Sequence, residues 1–206
     1  MRKRIGVLIS GRGSNMLSLI AATRANDYPA EIALVLSNRA DAGGLALAQA
    51  EGIAAHAVPS RDFGRDRAAH EAALDAALLA AGVEIVCLAG YMRLFTPFFV
   101  ARWAGRILNV HPSLLPAFPG VDTHARALAA GAKLHGCTVH LVTEGMDEGP
   151  ILAQAAVPVL AGDTEDALAA RVLAQEHVLY PMALRQFIAG TAVAAPAGAT
   201  LRNPAG

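Results

Sequence analysis

Ile5-Gly6-Val7-Leu8-Ile9-Ser10-Gly11-Arg12-Gly13-Ser14-Asn15 is the stretch that decides the fold. The apolar run 5–9 shows no polar alternation, so it reads as a β-strand covered on both faces. Gly11 and Gly13 break it, and a helical pattern runs from Ser14 to about residue 24. Downstream the same unit recurs. Strands are predicted at 32–36, more weakly at 53–58, then at 83–89 and 107–110. Helices are predicted at 43–51 and at 67–81, where Gly82 occupies the C′ position. Strands spaced by helices indicate an α/β, Rossmann-like doubly wound domain with a mostly parallel sheet.

The second half changes character. Pro112, Pro116 and Pro119 exclude an ordinary helix over 111–120. Segments 138–142 and 151–159 read as strands facing each other across a turn at 143–150, an antiparallel C-terminal extension. A helix is predicted at 165–179, with Asp163 as its N-cap, Glu165 and Asp166 in its first turn, and Pro181 bending or interrupting it. Residues 190–206 are rich in Gly, Ala and Pro and read as a loosely ordered tail. The expectation is one domain over 1–189, without internal repeat or linker.

Composition removes several classes. Of 206 residues, 54% are hydrophobic and 17% charged, which excludes a disordered chain. Seventeen basic residues balance seventeen acidic ones, so the excess that nucleic-acid binding needs is missing. Cys87 and Cys137 lie in apolar stretches without CxxC or zinc-finger spacing, which predicts buried thiols in a reducing compartment. Arg2, Lys3 and Arg4 precede an apolar run too short for a signal peptide. The uncharged stretch 149–162 holds Gln154 and Pro158 and is too short to span a bilayer. The expectation is a cytoplasmic protein without nucleic-acid or membrane partners.

Three segments carry chemistry. Gly13, Ser14 and Asn15 open a helix directly after a strand, where unpaired N–H groups and partial positive charge suit a phosphate. Met16 stands where a dinucleotide fingerprint has its third glycine, and no P-loop lysine follows, so a single phosphate fits better than NAD or ATP; a plain β-to-α turn is the bland reading. Asn109 and His111 lie two apart at the carboxyl end of a strand, hence on one face. An amide beside an imidazole can stabilise an oxyanion and move a proton. Asp147, before Gly149-Pro150, is a turn former; brought close to His111 it would favour the protonated imidazole. The segment from Gly90 to Phe95 either lines a pocket for a flat ring or forms a core edge. His56, His70 and His177 read as ordinary surface or helix positions, and His124, His135 and His140 lack a metal-binding spacing.

Together these segments resemble the folate-dependent glycinamide ribonucleotide formyltransferases. The matching pieces are residues 7–15, Ser37-Asn38-Arg39-Ala40-Asp41, Leu88-Ala89-Gly90-Tyr91-Met92-Arg93, Asn109-Val110-His111-Pro112-Ser113-Leu114-Leu115-Pro116, His135-Gly136-Cys137-Thr138-Val139-His140, Asp147-Glu148-Gly149-Pro150 and Gln175-Glu176-His177. The likeness spans about residues 4–189. The Asn-x-His-Pro-Ser-Leu-Leu-Pro segment marks the wider formyltransferase superfamily, and the Gly-Ser-Asn loop points to this branch.

The resemblance implies transfer of a formyl group from 10-formyltetrahydrofolate, as co-substrate, to the glycyl amine of 5-phosphoribosylglycinamide, without a metal. It puts the phosphate on Gly13, Ser14 and Asn15 and the ribose hydroxyls on Glu176. The pterin would lie along Met92, Arg93, Leu94 and Phe95, with Arg67 and Asn109 also in the folate site. Asn109, His111 and Asp147 would be catalytic, in a monomer or homodimer. A formyltetrahydrofolate deformylase, which usually carries an N-terminal regulatory domain, or another amine formyltransferase is the alternative.

Overall fold

Ile5, Val7, Leu8 and Ile9 are fully buried in strand β1 (Lys3–Ile9). The computed structural model describes residues 1–191 and gathers the chain into two units, Met1–Asn109 and the part from Val110 onward. In the first unit β1 is followed by α1 (Ser14–Thr23), β2 (Ala30–Ser37), α2 (Gly43–Ala50), β3 (Ala55–Ala57), a 3₁₀ turn at Ser60–Phe63, α3 (Arg67–Ala80), β4 (Ile85–Leu88) and α4 (Pro97–Arg102). Strand β5 (Ile107–His111) carries the chain across the boundary.

All pairings in this unit are parallel, in the order β3-β2-β1-β4-β5. The chain winds outward from β1 through β2 to β3, then returns to the other side of β1 as β4. That reversal leaves a crevice at the carboxyl ends of β1 and β4, the usual ligand position of such sheets. Helix α1 covers the sheet with Met16, Leu19, Ile20 and Thr23, buried at the spacing of one helical face. Helix α3 approaches β1 closely at Gly6: a Cβ there would lie 2.5 Å from Leu78 Cδ2.

In the second unit α5 (Thr123–Ala129) precedes β6 (Leu134–Leu141) and β7 (Ile151–Pro158), which pair antiparallel, and α6 (Glu165–Ile188) follows. The doubly wound α/β class and the antiparallel C-terminal pair are therefore both present. Strand β6 begins at Leu134 rather than at 138, because Gly136 sits where a Cβ would meet the Ala155 carbonyl oxygen at 2.0 Å; its lack of a side chain permits the pairing there.

Two local expectations are corrected. Helix α6 runs through Pro181 to Ile188, because Tyr180, Pro181, Ala183 and Leu184 are all buried and packing outweighs the missing N–H. Its N-cap is Thr164, whose hydroxyl accepts from Ala167 N, whereas Asp163 pairs with Arg171 at 2.8 Å and accepts from Leu160 N. Helices α4 and α5 are too short to show a periodic pattern. Of the expected tail, residues 192–206 lie outside the described residues. Cys87 and Cys137 are buried and join no disulfide. Among the described residues no helix is long and apolar enough to cross a membrane.

Candidate active site

The loop after β1 is built by close approach. Gly13 takes φ 74 as the N-cap of α1, a left-handed conformation that glycine adopts without a Cβ penalty. Gly44, at the start of α2, donates from its N–H to the Gly11 carbonyl at 3.0 Å. A Cβ on Gly44 would lie 2.6 Å from Ile9 Cδ1, and one on Gly13 would lie 3.3 Å from Gly44 Cα. Two glycines thus hold the loop against a second helix and leave the first N–H groups of α1, at Ser14 and Asn15, facing outward by helix geometry. Asn15 is buried and Ser14 half-buried.

Ser10 ties three strand ends together. Its hydroxyl donates to Asn38 Oδ1 at 2.6 Å, after β2, and accepts from Met92 N at 2.8 Å, after β4. Its own N–H donates to the Gly90 carbonyl at 3.1 Å. These residues, with Gly11, Arg39, Ser60 and Arg93, line an open cleft of about 450 Å³ at the β1/β4 reversal. Ser10 and Asn38 lie in quoted segments and Gly44 does not; the roles of all three are contacts between distant residues, which no local pattern displays.

The 92–95 segment leaves the cleft with Met92 and Leu94 well exposed, at 69% and 60%. Phe95 is turned the other way, stacked between Tyr91 at 5.2 Å and Phe99 at 4.3 Å between ring centroids. One face of α3 grips the segment. Arg67 donates to the Leu94 carbonyl, and buried Glu71 accepts from Thr96 N at 2.9 Å and from the Thr96 hydroxyl. Asp75, one turn on, accepts from Trp103 Nε1 at 2.9 Å. Residues 67, 71 and 75 are spaced by four, so the pattern was visible as a helix face but not as a grip. His70, on the same helix, is buried rather than superficial: Nε2 lies 2.9 Å from the Val58 carbonyl, and burial holds its pKa below the usual imidazole range.

In the second unit Asp147 and His111 come together. Asp147 Oδ2 lies 3.4 Å from His111 Nδ1 and accepts from Gly120 N at 2.8 Å. His111 Nε2 lies 3.1 Å from the Phe118 carbonyl, so both ring nitrogens face oxygen acceptors. The pair is largely buried, with side chains 7% and 11% exposed. Asp147 holds φ 59, a conformation that Asp and Asn tolerate better than most residues. Its other oxygen lies 3.7 Å from Nε2 of His140, a β6 residue whose Nδ1 lies 3.0 Å from the Leu141 carbonyl. Burial lowers the His140 pKa.

The turn after His111 hangs on Thr138. Its hydroxyl donates to the Ser113 carbonyl at 2.7 Å and accepts from Leu115 N and from Gln154 Nε2. Asn109, half-buried on β5, precedes His111 by two residues. Glu176 is buried on α6; burial first, and the Glu176 charge second, push the Cys137 thiol up to about 12, which makes it inert at neutral pH. His135 is buried edge-on to His124, with 5.2 Å between centroids, and burial lowers its pKa to about 4.

Residues 3–184 match the formyl transferase family. The phosphoribosylglycinamide formyltransferase of Escherichia coli is 46% identical over 186 residues, covering 90% of this chain and 87% of its own length. The trifunctional purine biosynthetic protein adenosine-3 of Drosophila melanogaster is 47% identical over 197 residues, 95% of this chain; the match spans only 14% of that longer protein. The crystal structure of phosphoribosylglycinamide formyltransferase from Brucella melitensis is similar with TM-score 0.88 and 60% identity, covering 92% of this chain and 97% of the other.

Proposed function

The chain belongs to the formyl transferase family, and from that premise we propose that it passes the formyl group of 10-formyltetrahydrofolate to the glycyl amine of 5-phosphoribosylglycinamide. The products are 5-phosphoribosyl-N-formylglycinamide and tetrahydrofolate, a step of purine synthesis. The observation that carries the choice of substrate is the 46% identity to the E. coli enzyme along 90% of this chain.

The chemistry follows from the groups described. The neutral amine attacks the formyl carbon, and negative charge develops on the carbonyl oxygen. Asn109, as a donor, and the protonated His111, through the charge of a ring whose nitrogens face Asp147 and the Phe118 carbonyl, stabilise that oxygen, each by a few kcal/mol, roughly. Asp147 balances the imidazolium charge and orients the ring. As the tetrahedral intermediate collapses, the attacking nitrogen gives up a proton, one is delivered to the tetrahydrofolate nitrogen through His111 or a held water, and the C–N bond to folate breaks. Holding both substrates in line removes much of the entropic barrier, so no covalent enzyme intermediate is required.

For binding, Gly13, Ser14 and Asn15 take the substrate phosphate at the start of α1, and Glu176 takes the ribose hydroxyls. Met92, Arg93, Leu94 and Phe95 accommodate the pterin, with Arg67 and Asn109 also in the folate site. The exposure of Met92 and Leu94 beside the cleft supports this reading. The enzyme works in a reducing, cytoplasmic setting as a monomer or homodimer, on residues 1–189.

A spectrophotometric assay of 10-formyltetrahydrofolate consumption tests the proposal. Consumption that requires 5-phosphoribosylglycinamide is the expected result. Consumption without it makes the protein a deformylase, and silence in both sinks the transferase reading.

A further inference from the structure

The backbone between Phe118 and Val121 supplies a partner to each member of the His111–Asp147 pair: the Phe118 carbonyl lies 3.1 Å from His111 Nε2, and Gly120 N donates to Asp147 at 2.8 Å. This segment is not regular structure. Phe118, its first residue, and Asp122, just beyond its last, take φ 55 and 56, where L side chains are uncommon, so the conformation has to be held from outside.

Arg126 holds it. From α5, Nη1 donates to the Pro119 carbonyl at 2.5 Å and to the Val121 carbonyl at 3.2 Å, while the guanidinium carbon sits 5.7 Å from the centre of the Phe118 ring. The helix is itself fixed to the turn after His111, because buried Thr123 donates to the Pro112 carbonyl at 2.7 Å. The two N–H groups of Nη1 reach two carbonyls while the flat guanidinium lies over the aromatic face, a combination that the round, strongly hydrated ammonium of lysine matches less well.

We propose that Arg126 is a positioning residue for the reaction: it fixes residues 118–121 so that His111 and Asp147 keep their orientation. The inference rests on the roles proposed for those two residues. Arg126 is exposed, and its contacts are backbone carbonyls and one half-buried ring, so its removal leaves the core intact.

Steady-state kinetics of Arg126→Ala, Arg126→Lys and His111→Ala, read beside the imidazole ¹⁵N signals of His111, test it. In Arg126→Ala we expect kcat to fall about tenfold with both KM values within about twofold of wild type. The His111 Nε2 signal should shift, added guanidinium ion should restore part of the lost kcat, and Arg126→Lys should recover less than the wild-type rate. An unchanged kcat or an unmoved His111 signal in Arg126→Ala, with His111→Ala inactive, overturns the inference alone. Wild-type turnover in His111→Ala overturns the functional reading, and the inference with it.

Discussion

Asp147 reaches His111 with the same carboxylate oxygen that accepts from Gly120 N, at 3.4 Å and 2.8 Å respectively. The carboxylate therefore has two tasks, to set a negative charge beside the proposed catalytic imidazole and to tie the 143–150 turn to the 118–121 segment. A neutral amide can keep the second task and lose the first.

Asp147→Asn separates them, because Asn tolerates the left-handed backbone at this position and its carbonyl can still accept from Gly120. We expect kcat to drop by about 10²–10³-fold, with the melting temperature close to wild type. Rapid-quench turnover together with thermal unfolding reads both quantities. Near-wild-type turnover removes Asp147 from the mechanism.

Gly149 sets the other end of that turn. A Cβ there would overlap the Leu141 carbonyl oxygen at 1.7 Å, so Gly149→Ala must displace the chain that carries Asp147. The expected outcome is a loss of at least about tenfold in kcat, since a misplacement near 1 Å already costs that much or more. Unchanged activity would show that the turn adapts without moving the carboxylate.

The β1–α1 loop divides stability from affinity. Gly13→Ala puts a side chain at φ 74, which costs about 1–2 kcal/mol, and denaturant unfolding should show it. Ser14→Ala and Asn15→Ala should leave kcat largely alone and raise KM for the phosphorylated substrate. A KM that does not respond locates the phosphate elsewhere.

Glu71 controls the neighbouring segment. Glu71→Ala releases both the N–H and the hydroxyl of Thr96, just after the 92–95 segment. KM for 10-formyltetrahydrofolate should rise several-fold, with KM for the ribonucleotide little changed. Equal changes in both would mean that Glu71 acts on the fold as a whole.

Acid should weaken the fold through its buried histidines. His135 has a pKa near 4 in the folded chain against about 6.5 unfolded, so the unfolded state binds more protons between those values. Stability is complete above about pH 6.5 and falls as the pH drops toward 4. His70, His124, His140 and His177 are lowered by burial and act in the same direction. His135→Gln should flatten the fall measured by denaturant titration at several pH values; an unaltered slope assigns it to the other histidines.

The alternation of apolar runs with helical stretches, the glycine turn ahead of Ser14 and the Asn109–His111 spacing are properties of neighbouring residues, and the sequence by itself determined them. It also marked Asp147, but only as a turn former whose part depended on what it met. Pro181 and Asp163 depart from local rules for one reason: buried neighbours in the first case and a better-placed cap, Thr164, in the second overrule them. That Asp147 meets His111, that Glu71 grips Thr96 and that Arg126 braces the backbone beside Phe118 were decided only by the tertiary structure. Periodicity reports which face of an element is buried, whereas a hydrogen bond between residues far apart in the chain exists only once burial has fixed the distance between them.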